Sequence, residues 1–264
     1  MPFDHRCGRH LPINGTRIYV ETLGDPSGPP LLMLHGGMGS IEDFNPLADQ
    51  LAKRFRLVGI DSRGHGASSL GDGGLSYAML QADIEAVAAQ LELPRYDVLG
   101  FSDGGIAGLR MAAAAGARIG KLVTIGAHAA PAAGDPAFDI YRKVTGAGMR
   151  EKFPEMVKAY ESVSPDKDFD KLTAALVAMW LDQGKDGYPG ASCRDIRCEL
   201  LVVRGDDDHL VSRASINDLL ELVPKARYLS VPFAGHETHK DKTESVLLAV
   251  NEFLRREAPQ PGKG

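Results

Sequence analysis

Three residues spread along this chain carry the chemistry of an activated hydroxyl: Ser102, Asp208 and His236. Ser102 sits in Gly100-Phe101-Ser102-Asp103-Gly104, after an apolar run at 96–101 and before a small-residue helix predicted over 106–115. Strand, tight turn and helix in that order put the serine at the apex. The backbone there is strained, and glycines two residues away on either side make the strain tolerable. The turn exposes Oγ with a helix N-terminus behind it, where backbone N–H groups and the dipole favour a developing anion. Such a nucleophile needs a base, and the base needs an orienting acid. His236, after the predicted strand at 227–231, is the candidate base. The predicted strand at 199–203 runs into Gly205-Asp206-Asp207-Asp208. The spacing Gly-x-x-Asp favours Asp208 as the acid and leaves Asp206 and Asp207 as a solvated loop.

The chemistry also needs donors for an oxyanion. His35-Gly36-Gly37-Met38 follows an apolar run at 31–34 and supplies flexible backbone. The peptide N–H groups of Gly37 and Asp103 are the candidate pair, with Met38 as second choice for the first donor. Asp61-Ser62-Arg63-Gly64-His65-Gly66-Ala67-Ser68 has the glycine content of a phosphate loop but lacks a Gly-Lys-Ser/Thr ending and opens no helix. It is expected to brace the site, with Arg63 and His65 structural. His239 makes a His-x-x-His pair with His236, but no further ligand stands at useful spacing, so a metal site is discounted. Acyl transfer of this kind calls for no metal or organic cofactor. Met38, His128 and Trp180 are candidate substrate contacts.

Alternating strands and helices must position these residues. A β-hairpin is read over 11–22 around Asn14-Gly15, the strongest short turn signal. Strands follow at 31–34, 56–60, 96–101, 121–125, 199–203 and 227–231. A helix is read over 45–54 with Asn45 as N-cap and Pro46 at its first position. Ser76 caps an amphipathic helix that turns Leu80, Ile84, Val87, Ala88 and Leu91 inward and Gln81, Asp83, Glu85 and Gln90 outward. Further helices are read at 215–222 and 243–255. This is an α/β fold with a doubly wound, mostly parallel sheet, and ligands in such sheets sit beyond the carboxyl ends of the strands. Residues 131–195 break the alternation with three helical patterns and no convincing strand. The organisation expected is a core of 1–130 and 196–264 with an α-helical cap at 131–195. Phe138, Tyr141, Phe153, Met156, Met179 and Trp180 are the apolar cap residues that either line an acyl pocket or, for most of them, pack the helices together.

The chain has 264 residues, with 30 Lys and Arg against 35 Asp and Glu, a net charge of −5. Mild acidity argues against a nucleic-acid surface or an anionic membrane as partner and leaves a small-molecule substrate. No apolar run reaches the length of a membrane span, and the N-terminus lacks the apolar stretch of a signal peptide. Three cysteines, Cys7, Cys193 and Cys198, form no framework. Reduced thiols in a cytoplasmic protein are expected. Residues 257–264 read as a frayed polar tail. Nothing in the sequence sets the oligomeric state.

In combination these motifs resemble the α/β-hydrolase superfamily over nearly the whole chain. The resemblance rests on His35-Gly36-Gly37, the loop from Asp61 to Ser68, Gly100-Phe101-Ser102-Asp103-Gly104, Gly205-Asp206-Asp207-Asp208 and Gly235-His236. It implies a triad of Ser102, Asp208 and His236, an oxyanion hole from Gly37 and Asp103, and a cap from the insertion. The form Ser102-Asp103-Gly104-Gly105 looks most like the valacyclovirase (biphenyl hydrolase-like) branch, where an acidic residue after the nucleophile goes with substrates bearing an α-amino group, and this resemblance implies Asp103 as a further candidate substrate contact. The chain lacks the His-Gly-Gly-Pro-Gly and Gly-Gly-Ser-Trp-Gly motifs of proline iminopeptidases. No asparagine precedes the serine as in many carbon–carbon bond hydrolases, and an epoxide hydrolase or dehalogenase would carry Asp in place of Ser102. The expected activity is hydrolysis of a small or medium carboxylic ester, lactones and aminoacyl esters included. A cofactor-free perhydrolase or carbon–carbon hydrolase with the same triad, and a non-catalytic binding protein on the same scaffold, are the alternatives.

Overall fold

A computed structural model describes residues 2–114, 118–132 and 134–255. Eight strands make one sheet in the order β1-β2-β4-β3-β5-β6-β7-β8. The first two are β1 (Arg9–Ile13) and β2 (Thr16–Gly24), paired antiparallel, with Asn14 and Gly15 at φ 43° and 78° in the turn between them. A two-residue turn with both central residues at positive φ matches the twist of a hairpin. Then come β3 (Pro30–Leu34), β4 (Arg56–Ile60), β5 (Tyr96–Phe101), β6 (Ile119–Ile125), β7 (Glu199–Gly205) and β8 (Arg227–Val231). All pairings from β4 onward across β3 to β8 are parallel, while β2 meets β4 antiparallel.

The central strands are apolar on both faces because both are covered. Leu32 and Leu34, Val98, Leu122 and Val202 join one core with α2 (Tyr77–Gln90), α3 (Asp103–Ala113) and α8 (Arg213–Leu222). Leu31 and Met33, Leu99, Val123, Leu201 and Val203 join the other with α1 (Asn45–Leu51) and α10 (Thr243–Arg255). This period of two, apolar at every position, is what a doubly covered parallel strand requires. Between β6 and β7 lie α4 (Ala137–Tyr141), α5 (Gly146–Lys152), α6 (Pro154–Val163) and α7 (Phe169–Leu181). Val157 and Tyr160 of α6 and Leu172, Leu176 and Met179 of α7 belong to the same core as α2 and α3. Between β8 and α10 runs the short α9 (Thr238–Asp241). No described helix is long and apolar enough to cross a membrane.

Several local expectations are corrected. Asn45 does not cap α1: its side chain accepts from Phe3 N–H at 2.8 Å and donates to Phe3 O at 3.0 Å, pinning the N-terminal segment, and Phe44 stands at the cap position. Asp83 does not face away. It is buried in a two-pronged pair with Arg63, Nε–Oδ2 2.5 Å and Nη2–Oδ1 2.7 Å, and this charged partner makes burial of the carboxylate tolerable. The helix after Ser102 starts at Asp103 rather than Ile106. Phe153 stands half exposed at the N-cap of α6. Ala115 and the tail at 257–264 lie outside the described residues.

Candidate active site

Ser102 has φ 49° and ψ −118°, outside the conformations a side chain prefers, a strain of roughly 1–3 kcal/mol. Its neighbours hold it there. Ser102 N–H donates to Ile125 O at 2.9 Å, and Ile106 N–H donates to Ser102 O at 2.9 Å, opening α3. A methyl group on Gly100 would meet Gly104 O at 2.5 Å, and one on Gly104 would collide with Leu34 O, so the turn closes only with glycine at both places.

His236 Nε2 lies 3.0 Å from Ser102 Oγ, and its Nδ1 lies 3.1 and 3.0 Å from the two carboxylate oxygens of Asp208. A carboxylate only accepts, so Nδ1 carries the proton and Nε2 presents its lone pair to the serine hydroxyl. Asp208 has a fully buried side chain. Burial alone would raise its pKa, but the hydrogen bond and charge of His236 and the N–H groups of Val211 and Leu210, which donate to Oδ1 at 3.0 and 2.9 Å, hold it below the ordinary carboxylate range. Arg204 Nη2 donates to Asp208 O at 3.0 Å and fixes the loop from behind. Of the neighbouring aspartates, Asp207 is exposed and Asp206 is half-buried, bonded to Ser230. Gly126, at φ 57°, lies under the imidazole.

The turn after β3 lies against the serine. A methyl on Gly36 would come within 3.0 Å of Ser102 Cβ, and one on Gly37 within 2.6 Å of Asp103 Oδ2. Gly104 N–H donates to His35 O at 3.1 Å, which ties this turn to α3. His35 Nδ1–H donates to Gly36 O at 2.7 Å, and Nε2 accepts from Ser62 N–H at 2.9 Å. Asp61 accepts from Ile41 N–H at 2.9 Å and Ala67 N–H at 2.8 Å. His5 Nε2 reaches Asp61 at 2.8 Å while its Nδ1 reaches Glu42 at 2.9 Å. Burial opposes charge on His5, but these two carboxylates outweigh it and raise its pKa to about 9. The loop at 61–68 is therefore a brace built of hydrogen bonds.

The candidate substrate contacts separate. Met38 is buried at φ 62°, in the turn beside Gly37. Asp103 is buried, and its carboxylate accepts from Tyr77 Oη at 2.7 Å and from Trp180 Nε1 at 3.0 and 2.9 Å. Burial pushes the Asp103 carboxyl up, with the two donors opposing. Burial also pushes the Tyr77 phenol well above its ordinary range, so it remains a donor. His128 is buried, hydrogen-bonded through Nδ1 to Ser215 Oγ at 3.2 Å, with the Tyr188 ring edge-on at 5.5 Å. Burial lowers its pKa to about 4, which makes it a neutral packed side chain. His239 is also buried and sits at Asp43 O, 3.1 Å away. Tyr77 and Tyr188 escape sequence reasoning altogether. The only local signal for Tyr77 is its position next to the capping Ser76.

The family model of the alpha/beta hydrolase family matches residues 31–247, and the chain belongs to that family. Serine hydrolase BPHL of Mus musculus is 30% identical over 255 residues, 92% of this chain and 84% of the mouse protein. The 2-(acetamidomethylene)succinate hydrolase of Mesorhizobium japonicum is 25% identical over 276 residues, 95% of this chain and 96% of its own length. A crystal structure of a hydrolase from Pseudomonas aeruginosa PA01 superposes with a TM-score of 0.78 at 23% identity, over 96% of this chain and all of the other.

Proposed function

We propose that this chain is a serine hydrolase that cleaves small or medium carboxylic esters through an acyl-enzyme. The observation that carries the reading is the line Asp208–His236–Ser102, joined at 3.0 Å on each side of the imidazole, with the serine at φ 49°. Asp208 fixes the tautomer and stabilises the imidazolium. His236 Nε2 takes the hydroxyl proton as Oγ attacks the ester carbonyl, then returns it to the departing alcohol. Water activated by the same nitrogen releases the acid. The N–H groups of Gly37 and Asp103 are the donors proposed for the oxyanion, each worth roughly 3 kcal/mol in the transition state. Helices α4 to α7 act as the cap, and Trp180 is its contribution to the substrate wall. The likeness to mouse serine hydrolase BPHL over 92% of the chain supports a serine mechanism.

Labelling with a fluorophosphonate probe tests this reading. Wild type is expected to gain one covalent adduct, on Ser102, and Ser102→Ala none. Wild-type protein that stays unlabelled would remove the activated serine.

A further inference from the structure

Asp103 lies one residue past the nucleophile, yet its carboxylate does not face open space. The residue is 5% exposed. Tyr77 comes to it from α2 and Trp180 from α7, so three elements distant in sequence meet on one carboxylate. The indole lies across the turn after β3, since a methyl on Gly37 would stand 2.6 Å from Asp103 Oδ2 and 2.8 Å from Trp180 Cζ2. Tyr188 Oη donates to Trp180 O at 3.0 Å, and the Tyr141 ring stacks obliquely on the indole at 5.2 Å. One side of Trp180 is thus clamped while the residue as a whole stays partly exposed.

A receptor for a substrate ammonium would need a carboxylate with an open approach. Here the turn at Gly37 runs close to Oδ2, and both oxygens already accept from Tyr77 or Trp180, so an ammonium would have to displace them and strand the buried phenol at about 1–3 kcal/mol. We propose instead that Asp103 is a positioning residue whose carboxylate fixes Trp180 against Gly37, making the indole the wall that limits the size of the acyl chain. The proposal rests on the acyl-enzyme reading of Ser102. It assigns the substrate class as small acyl esters, without selection for an α-amino group.

Trp180 is the sole tryptophan of the chain, so its emission reports this contact directly. The experiment compares wild type, Asp103→Leu, Asp103→Asn and Trp180→Phe. Tryptophan emission and acrylamide quenching are read for the first three. For all four, kcat/KM is measured on p-nitrophenyl acetate and hexanoate, and on alanine benzyl ester against benzyl propanoate. Asp103→Leu is expected to shift emission to longer wavelength and raise quenching severalfold. The hexanoate-to-acetate ratio should rise about tenfold in both Asp103→Leu and Trp180→Phe. In a fifth protein carrying both Asp103→Leu and Trp180→Phe the two effects should fail to add, because one contact underlies both. Asp103→Asn keeps one acceptor oxygen and should fall between wild type and Asp103→Leu, which also covers the case in which the leucine variant does not fold. The alanine-to-propanoate ratio should stay within about twofold throughout. Unchanged emission and chain-length preference, or a selective tenfold loss on the alanine ester, would overturn the proposal. Wild type inert towards every ester would count against the acyl-enzyme reading alone, and the emission of the Asp103 variants would still decide whether the carboxylate holds the indole.

Discussion

The imidazole of His236 rests on Gly126, so closely that a methyl group there would lie 3.1 Å from both Cε1 and Nδ1. Gly126 follows β6 at φ 57°, and its N–H donates to Val203 O at 2.9 Å, which fixes its position on β7. The ring position is therefore set from below by a missing side chain and from the side by Asp208. Gly126→Ala adds left-handed strain of about 1 kcal/mol and pushes the ring off its line to Ser102. The variant should melt only a few degrees lower yet lose tenfold or more in kcat, because small displacements of a reacting group are costly. Thermal melts and ester kinetics on the same preparation check this. A kcat near wild type would mean that the ring can relax without loss of function.

Arg63 and Asp83 form a pair in which both side chains are about 95% buried, joining the loop after β4 to α2. Asn14 Nδ2 adds a third bond to Asp83 at 2.9 Å, from the first hairpin. Asp83→Ala leaves a guanidinium buried without its counter-charge and should cost about 3–5 kcal/mol of stability. Urea denaturation of the two proteins gives the difference. A loss below about 1 kcal/mol would show that water or other groups replace the carboxylate.

Burial lowers three histidines: His65 to about 3, and His128 and His239 to about 4, from an ordinary 6.5. Their folded-state values lie below the unfolded one, so the unfolded chain binds more protons once the pH drops under 6.5. Stability should therefore fall from pH 6.5 towards 4, by up to about 1.4 kcal/mol per histidine for each pH unit. Asp208, held below its ordinary range, acts in the same direction at lower pH. Melting temperatures across pH 7 to 4.5 are expected to decline steeply for wild type and less steeply for His128→Gln. Parallel profiles for the two proteins would show that His128 does not contribute.

The order of elements and the residues at strand ends were legible because each signal is local. Alternating apolar strands, Asn14-Gly15, the glycines around Ser102 and the residues closing β7 and β8 need no knowledge of partners. Ser102, Asp208 and His236, read from three strand ends, stand in one hydrogen-bonded line. What failed depended on distant residues. Asp83 followed the polar face of a helix pattern, and nothing nearby announces Arg63 twenty positions earlier. Asn45 before Pro46 has the form of a cap, and its real partner is Phe3. The side-chain partners of Asp103 were not legible either, because Tyr77 and Trp180 lie 26 and 77 residues away. Helix α5 went unread because Gly146, Gly148 and its charges leave no apolar stripe.

The most direct measurement for the acyl-enzyme is the turnover of p-nitrophenyl acetate by wild type and Ser102→Ala, with folding of both verified by circular dichroism. Removing the nucleophile should lower kcat by at least about a thousandfold, since the remaining groups cannot form the covalent intermediate. Equal turnover by the two proteins would contradict a reaction at Ser102.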